Sequence, residues 1–320
     1  MDALTIGEVL VEFVKKAKDS PHDKRGEYVG PFASGAPAIF VDAAARLGLK
    51  SGIIGAVGKD DFGRLLIERL AKDGVNVENL HTRGGYTTGI AFVMYYSDGR
   101  RNFVFHLKHS AAAQIKPNDV KEEFVKSFKV LHIMGSALSL GEYMRKACYK
   151  AVRIASRSGM MITYDPNLRA ELIEPRMIRK ISEPLLKVSE IVMPSANELF
   201  DLTGTRTIED ASQRIFKYGV ENLILKLGDK GSMAITKQGK VFEPAYYTQE
   251  VDPTGAGDAF DAAIIYAHLK KESTANMLSL ANAVGAIKVR NVGPMEVHRD
   301  LSEVIDFMKE SKKKRGSQSP

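Results

Sequence analysis

The chain predicts an α/β fold, a central and mainly parallel sheet with helices on both faces, accompanied by a small β-sheet. Three observations predict it. Short β-branched or apolar runs alternate with longer segments of helical periodicity, the pattern of parallel strands joined by crossover helices. That pattern is interrupted once by alternating strand-like segments around a Ser97-Asp98-Gly99-Arg100 turn, which reads as an antiparallel hairpin. A length of 320 residues with 44% hydrophobic content is enough for one large core with a small appendage.

Taken in order, residues 9–14 and 27–32 alternate as strands, and residues 36–47 carry the small and apolar periodicity of a helix. The apolar run 53–57 reads as a strand and 63–73 as the helix that follows it. Residues 88–96 and 102–107 form the hairpin; Phe92, Met94, Phe103 and Phe105 are expected to make an apolar face that a hairpin cannot bury alone. Strands are expected at 130–134, 161–164, 191–193 and 223–226, and helices at 141–157, 176–187 and 278–289. Most ligand contacts should then fall at strand ends, where open α/β sheets bind. The basic end, 309–320, reads as a flexible tail.

Composition excludes several functions. No apolar run is long enough to span a bilayer, and the first residues lack a signal peptide's basic and apolar segments, so a soluble, cytoplasmic protein with no membrane partner is expected. The single cysteine, Cys148, has no partner for an intramolecular disulfide and reads as a packed side chain. Of the net charge of +7, Lys312, Lys313, Lys314 and Arg315 supply four, so no nucleic-acid partner is expected. Residues 52–60 brush against a P-loop, but the spacing is wrong and Asp60 stands where Ser or Thr should hold magnesium. No G-x-G-x-x-G opens a helix, and His106 and His109 lack a third ligand for zinc.

The most informative stretch is Asp252-Pro253-Thr254-Gly255-Ala256-Gly257-Asp258, followed at once by helix-forming residues. Gly255, Ala256 and Gly257 let a ligand approach the backbone closely, and their amides point along the start of a helix, which is how phosphate oxygens are held. Asp258 falls in the first helical turn, where the helix dipole should keep it ionised and ready to accept a proton. Phosphoryl transfer to a hydroxyl needs both parts.

This string resembles the D-T-G-A-G-D motif of the ribokinase-like, PfkB carbohydrate kinases. Further landmarks follow in order: residues 5–12, Ser34-Gly35-Ala36-Pro37-Ala38, 45–48, 55–63, Asp165-Pro166-Asn167-Leu168-Arg169, Pro194-Ser195-Ala196-Asn197-Glu198 and 226–232. The resemblance covers about residues 5–294. It implies one ribokinase-like domain over 1–320, with a lid built from about 9–32 and 86–108 that covers the sugar and packs on the lid of a second copy as a homodimer. It also implies ATP and Mg2+ as cofactors.

The resemblance assigns Asp258 as the base, with Gly255, Ala256 and Gly257 stabilising the transferring phosphoryl group and Thr254 beside the nucleotide. Glu198 would organise magnesium through water, and Lys226, Gly228 and Gly231 would lie at the ATP site. Gly35, Ala36, Glu12 and Arg169 would meet the sugar. The family's usual sugar-reading Asn is replaced by Ile39, and Asp42, on the same helical face, is expected to take over that hydroxyl. Leu107 stands where relatives acting on 2-keto-3-deoxygluconate commonly carry an Arg, so a neutral ketohexose such as tagatose or fructose is the expected substrate. A 2-keto-3-deoxygluconate kinase, a nucleoside kinase and a non-catalytic sugar sensor are the alternatives. The lid offers little aromatic surface for a base, and Asp258 and Glu198 together exceed what a sensor needs.

Overall fold

The structure is a computed structural model describing residues 1–169 and 171–311. Its strands are β1 (Ala3–Ile6), β2 (Leu10–Lys15), β3 (Tyr28–Ser34), β4 (Ser51–Gly58), β5 (Asn76–Arg83), β6 (Gly89–Tyr95), β7 (Arg101–His106), β8 (Val130–Met134), β9 (Met161–Asp165), β10 (Ile191–Val192), β11 (Asn222–Lys226), β12 (Gly231–Thr236) and β13 (Gly239–Pro244).

The large sheet runs β13-β12-β11-β10-β9-β8-β1-β4-β5. From β5 to β11 every pairing is parallel, and β12 and β13 add an antiparallel edge. Every residue of β1, β4 and β8 is buried, because helices cover both faces, and this is why those strands read as continuous apolar runs rather than alternating ones. Two polar exceptions find backbone partners: the Thr5 hydroxyl donates to the His132 carbonyl and the Ser51 hydroxyl to the Val41 carbonyl, each at 2.8 Å, so neither hydroxyl is stranded in the core. Helices Ala36–Arg46, Ala256–Leu269 and Thr274–Lys288 pack on one face, and Glu142–Arg157 and Pro175–Leu186 on the other. No described helix is long and apolar enough to cross a membrane.

The small sheet is ordered β3-β2-β6-β7, with β2 and β6 parallel and the other two pairs antiparallel. It contains the expected hairpin but corrects its faces. Phe92 pairs with Val104 and Val93 with Phe103, so Phe92 and Met94 project from one side and Phe103 and Phe105 from the other. Phe103 and Phe105 look into a cavity against the large sheet, while Phe92 packs on Phe13 with ring centroids 5.5 Å apart.

Helix Leu301–Glu310 continues past the point where the tail was expected to begin. Its N-cap is Asp300, whose side chain accepts from the Glu303 amide. The rest of the expected tail, 312–320, lies outside the described residues.

Candidate active site

Gly255 is the N-cap of helix Ala256–Leu269 and has φ +88°; a Cβ there would come within 2.4 Å of the Pro294 carbonyl oxygen. The turn therefore requires glycine, and the amides that follow it are the first-turn donors that no helix can satisfy internally. The loop leading into this turn is fixed from behind. Asp252 accepts from the Thr254 amide and from the Gly293 amide, each at 2.9 Å, and Lys288, fully buried, donates to the Asp252 carbonyl at 2.8 Å. From the small sheet, the Tyr95 hydroxyl donates to Asp252 Oδ1 and lies 2.6 Å from Thr254 Oγ1. A preorganised set of amides is thus built at the meeting point of the two sheets.

Asp258 follows in the first turn, buried, with its Oδ1 accepting from Asn167 Nδ2 at 3.0 Å. The dipole was expected to keep it ionised; instead burial, and then the Asp165 carboxylate, push its pKa up to about 7 against the smaller pull of Arg169. Desolvation outweighs the dipole here because the carboxyl is shut away from water. Behind it lies a buried charge cluster. Lys226 Nζ is 3.0 Å from Asp165 Oδ2 and 3.2 Å from both oxygens of Asp261. Lys226 holds Asp165 below the usual carboxylate range, whereas burial raises Asp261 well above it. His132, fully buried, packs beside this cluster and bonds to Thr163 Oγ1 at 2.8 Å; burial pushes its pKa down to about 3. One ammonium thus serves two buried carboxyls whose pKa values are driven apart, as expected where like charges share a single counter-ion.

A cavity opens on the sugar-expected side of the Gly255 turn. Glu12, Gly35, Ala36, Ile39, Arg169, Thr254, Gly255 and Asp258 all line it, together with Phe103, Phe105 and Leu107 of the small sheet. Gly35, at φ +109°, brings its backbone so near Glu8 that a Cβ would meet the Glu8 carbonyl oxygen at 2.5 Å. Burial, reinforced by Asp252, pushes Glu12 up to about 8, and burial also raises Glu8. Glu12 Oε2 accepts from Ser34 Oγ at 3.2 Å, but Glu12 Oε1, Glu8 Oε2 and Asn167 Oδ1 are buried with no hydrogen-bond partner among the described residues. Unsatisfied buried oxygens cost free energy, so a cavity lined by Glu8 and Glu12 is shaped for a ligand rich in polar hydrogens.

Asp42 does not join them. Its side chain is fully buried on the other side of helix Ala36–Arg46, with Oδ2 3.1 Å from Arg46 Nε, and Arg46 in turn holds Asp73 at 2.8 Å. The expectation that it reads a sugar hydroxyl is corrected: Ile39 lines the cavity and lies against the Gly255 turn, whereas position 42, three residues on, turns away to the arginine. It is neither a ligand contact nor a solvent-facing acid.

On the far side of the Gly255 turn a second cavity is lined by Lys226, Gly228, Gly231, Ala256 and Gly257, with Phe260 and Tyr246 among the apolar walls. The glycines expected at a nucleotide site therefore do gather beside the anion-binding turn. The Lys226 ammonium, however, is turned to Asp165 and Asp261. Glu198 caps helix Ala196–Thr203: its Oε2 accepts from the Ser195 amide at 2.8 Å, and its Oε1 from the Leu168 amide at 2.9 Å. No cluster of three carboxylate, histidine or cysteine groups able to cage a metal occurs among the described residues. One firmly oriented carboxylate without a cage fits a magnesium ion that arrives on phosphates and keeps its waters.

Sequence reasoning missed Glu8, Arg101, Asp252, Asp261 and Lys288. Asp261 had a signal, three residues after Asp258 and so one helical turn along the same face. Within the Asp165 to Arg169 landmark only Arg169 was given a role, and in the structure Asn167 holds Asp258. Lys288 gave none, since a lysine in a helix ordinarily reads as exposed.

Comparison with known proteins agrees with this geometry. The profile described as pfkB family carbohydrate kinase matches residues 2–300. Among curated proteins, "Probable fructokinase-3" of Arabidopsis thaliana is 32% identical, over 97% of this chain and 92% of its own length. A candidate ribokinase II from E. coli, solved in complex with ATP and Mg2+, superposes with a TM-score of 0.90 at 37% identity, over 96% of this chain and 99% of that one. Fructokinase from Vibrio cholerae O395, solved with fructose, ADP and calcium ion, gives a TM-score of 0.84 at 26% identity, over 96% and 99%.

Proposed function

The chain belongs to the pfkB family of carbohydrate kinases and is an ATP-dependent sugar kinase, and we propose that it transfers the γ-phosphoryl group to a primary hydroxyl of a neutral ketohexose of the fructose and tagatose kind. The observation that carries this reading is the pair of unpartnered buried oxygens, Glu8 Oε2 and Glu12 Oε1, on carboxyls that line one cavity with Asp258. A polyol supplies the missing donors, and each hydroxyl can also accept from a carboxyl held neutral by burial. That the curated relatives are fructokinases supports the ketohexose.

Asp258 accepts the proton of the attacking hydroxyl. A pKa of about 7 places it near the working pH, where a base is partly free and still basic enough to act. Asn167 orients its carboxylate, and the amides after Gly255 stabilise the charge on the group in transfer. Phe103, Phe105 and Leu107, as the lid, keep water from competing for the phosphoryl group. Glu198 is the residue that would hold magnesium through water, and the ion would supply neutralisation of charge on the phosphates.

One observation favours a second substrate. Arg101 and Arg169 both line the sugar cavity, and an arginine fork fits a carboxylate, so an acid sugar such as 2-keto-3-deoxygluconate is the alternative, although Leu107 is apolar and buried. A phosphorylation screen over fructose, tagatose, 2-keto-3-deoxygluconate and nucleosides decides between them. A kcat/KM for the acid sugar above those for both ketohexoses would replace the neutral-substrate reading. A second copy of the chain is the proposed partner of the small sheet's outer face, where Val104 is exposed beside Phe92. Sedimentation as a monomer at micromolar concentration would remove the dimer.

A further inference from the structure

Arg101 begins β7, directly opposite Tyr95 in the hairpin. Among the described residues it is the one shared by the linings of the sugar cavity and the nucleotide cavity. The turn beneath it is divided between the same two spaces: Thr254, Gly255 and Asp258 face the sugar side, and Pro253, Ala256 and Gly257 face the nucleotide side. The boundary between the cavities is therefore where a phosphoryl group must cross. Arg101 stands over it, with Nη1 3.4 Å from Thr254 Oγ1.

Its charge is available there. Arg46 and Arg69 are gripped by Asp73, and Lys226 by Asp165 and Asp261. Arg101 has no carboxylate within salt-bridge distance among the described residues and rests over the Phe103 ring, 5.7 Å from its centroid. Its position is set by its cross-strand partner, since the Tyr95 hydroxyl is bonded to both Asp252 and Thr254. A planar guanidinium with most of its donors open, fixed above an anion-binding turn, suits phosphate oxygens.

We propose that Arg101 is a catalytic residue that binds the γ-phosphoryl group as it passes from ATP to the sugar. In that step the hydroxyl proton goes to Asp258 and the sugar oxygen bonds to Pγ. The bond from Pγ to its bridging oxygen breaks, and the electron pair leaves on ADP. The guanidinium faces the equatorial oxygens of the group in flight, on the side opposite the helix amides, and its gain is largest when charge is spread over those oxygens. The inference rests on the kinase activity and not on which sugar is used.

The test compares wild type with Arg101→Ala and Arg101→Lys, on fructose and on ATP hydrolysis without sugar, in which the same group passes to water. Arg101→Ala should lower kcat on the order of 10³-fold in both assays, with the KM values for sugar and ATP changed by less than about threefold and the melting temperature unchanged. Added guanidinium ion should restore part of the lost rate, and Arg101→Lys should fall between, having charge without the fork. A kcat within about tenfold of wild type in both assays overturns the proposal. So does a loss confined to sugar KM with hydrolysis unaffected, which would make Arg101 a reader of the sugar, or an Arg101→Ala loss that guanidinium does not relieve. A wild-type protein that hydrolyses ATP but ignores ketohexoses would sink the substrate assignment alone, because the hydrolysis arm still reads Arg101.

Discussion

The two cavities on either side of the Gly255 turn are built on different principles. The sugar side has a cavity volume of about 50 Å³, roofed by the small sheet and lined by Glu8, Glu12 and Asp258, whose pKa values are all raised. The nucleotide side has about 420 Å³ and is walled largely by glycine, alanine and apolar side chains. The first recognises by directed hydrogen bonds from groups that are costly to bury, and the second by backbone shape. Substitutions on the sugar side should therefore act on chemistry and selectivity, with little effect on ATP binding.

The largest expected effect is at the turn itself. Asp258→Asn keeps size and loses basicity, so kcat should fall ~10²-fold or more while the affinities for ATP and sugar stay within several-fold. Retention of more than about a tenth of wild-type kcat would place the base elsewhere. The pH profile sharpens the same point. Because Asp258 must be unprotonated to accept a proton and its pKa is pushed up to about 7, kcat/KM should fall about tenfold per pH unit on descending below that value. An inflection near the ordinary carboxylate pKa of about 4 would show that substrate-free burial does not govern the base.

Glu12→Ala comes next and tests the contrast between the cavities directly. If its carboxyl meets sugar hydroxyls as proposed, its loss should raise sugar KM at least about tenfold, corresponding to ~1.5–3 kcal/mol, with ATP KM nearly unchanged. Equal rises in both would mean that the two sites are not separable in this way. Glu12 also bears on stability. Its folded pKa of about 8 lies above the unfolded value, so the stability it contributes is fully present below about pH 4 and is lost as pH rises through about 8.

How much of this was legible follows the same division. Of the strands buried on both faces, β4 and β8 were readable because helices force them to be apolar throughout and were expected at nearly their observed positions, whereas the equally buried β1 was not expected. The anion-binding turn was readable because Gly255 requires a left-handed backbone and a helix follows at once. The antiparallel edge β12 and β13 was not, since β13 is largely exposed and has little apolar pattern to show. The hairpin was found, but its faces were misassigned, because a register is fixed by pairing rather than by composition and one residue of slip exchanges the sides. Burial decided the charged residues. Asp261 and Lys288 read as ordinary helix residues in sequence and Asp258 as a base kept ionised by the helix dipole, and only tertiary packing shows that water is absent around all three.

Asp42 provides the smallest expected kinetic effect and the clearest check on that last point. It is as buried as Glu12 and has a similarly raised pKa, about 8, but it lines neither of the two cavities and faces Arg46. Asp42→Asn should leave sugar kcat/KM within about twofold of wild type, because no ligand atom loses a partner. Stability should change instead. Arg46 keeps Asp73, so the cost should be about 1–3 kcal/mol rather than that of a wholly orphaned buried charge. The contribution of Asp42 is present below its unfolded pKa and fades as pH rises through about 8, so wild type should lose more stability than the variant between about pH 5 and about pH 9. Urea unfolding at the two pH values reads this difference directly. Parallel unfolding curves would mean that Asp42 stays ionised beside Arg46, and a rise in sugar KM of about tenfold would return it to the sugar site from which its geometry removes it.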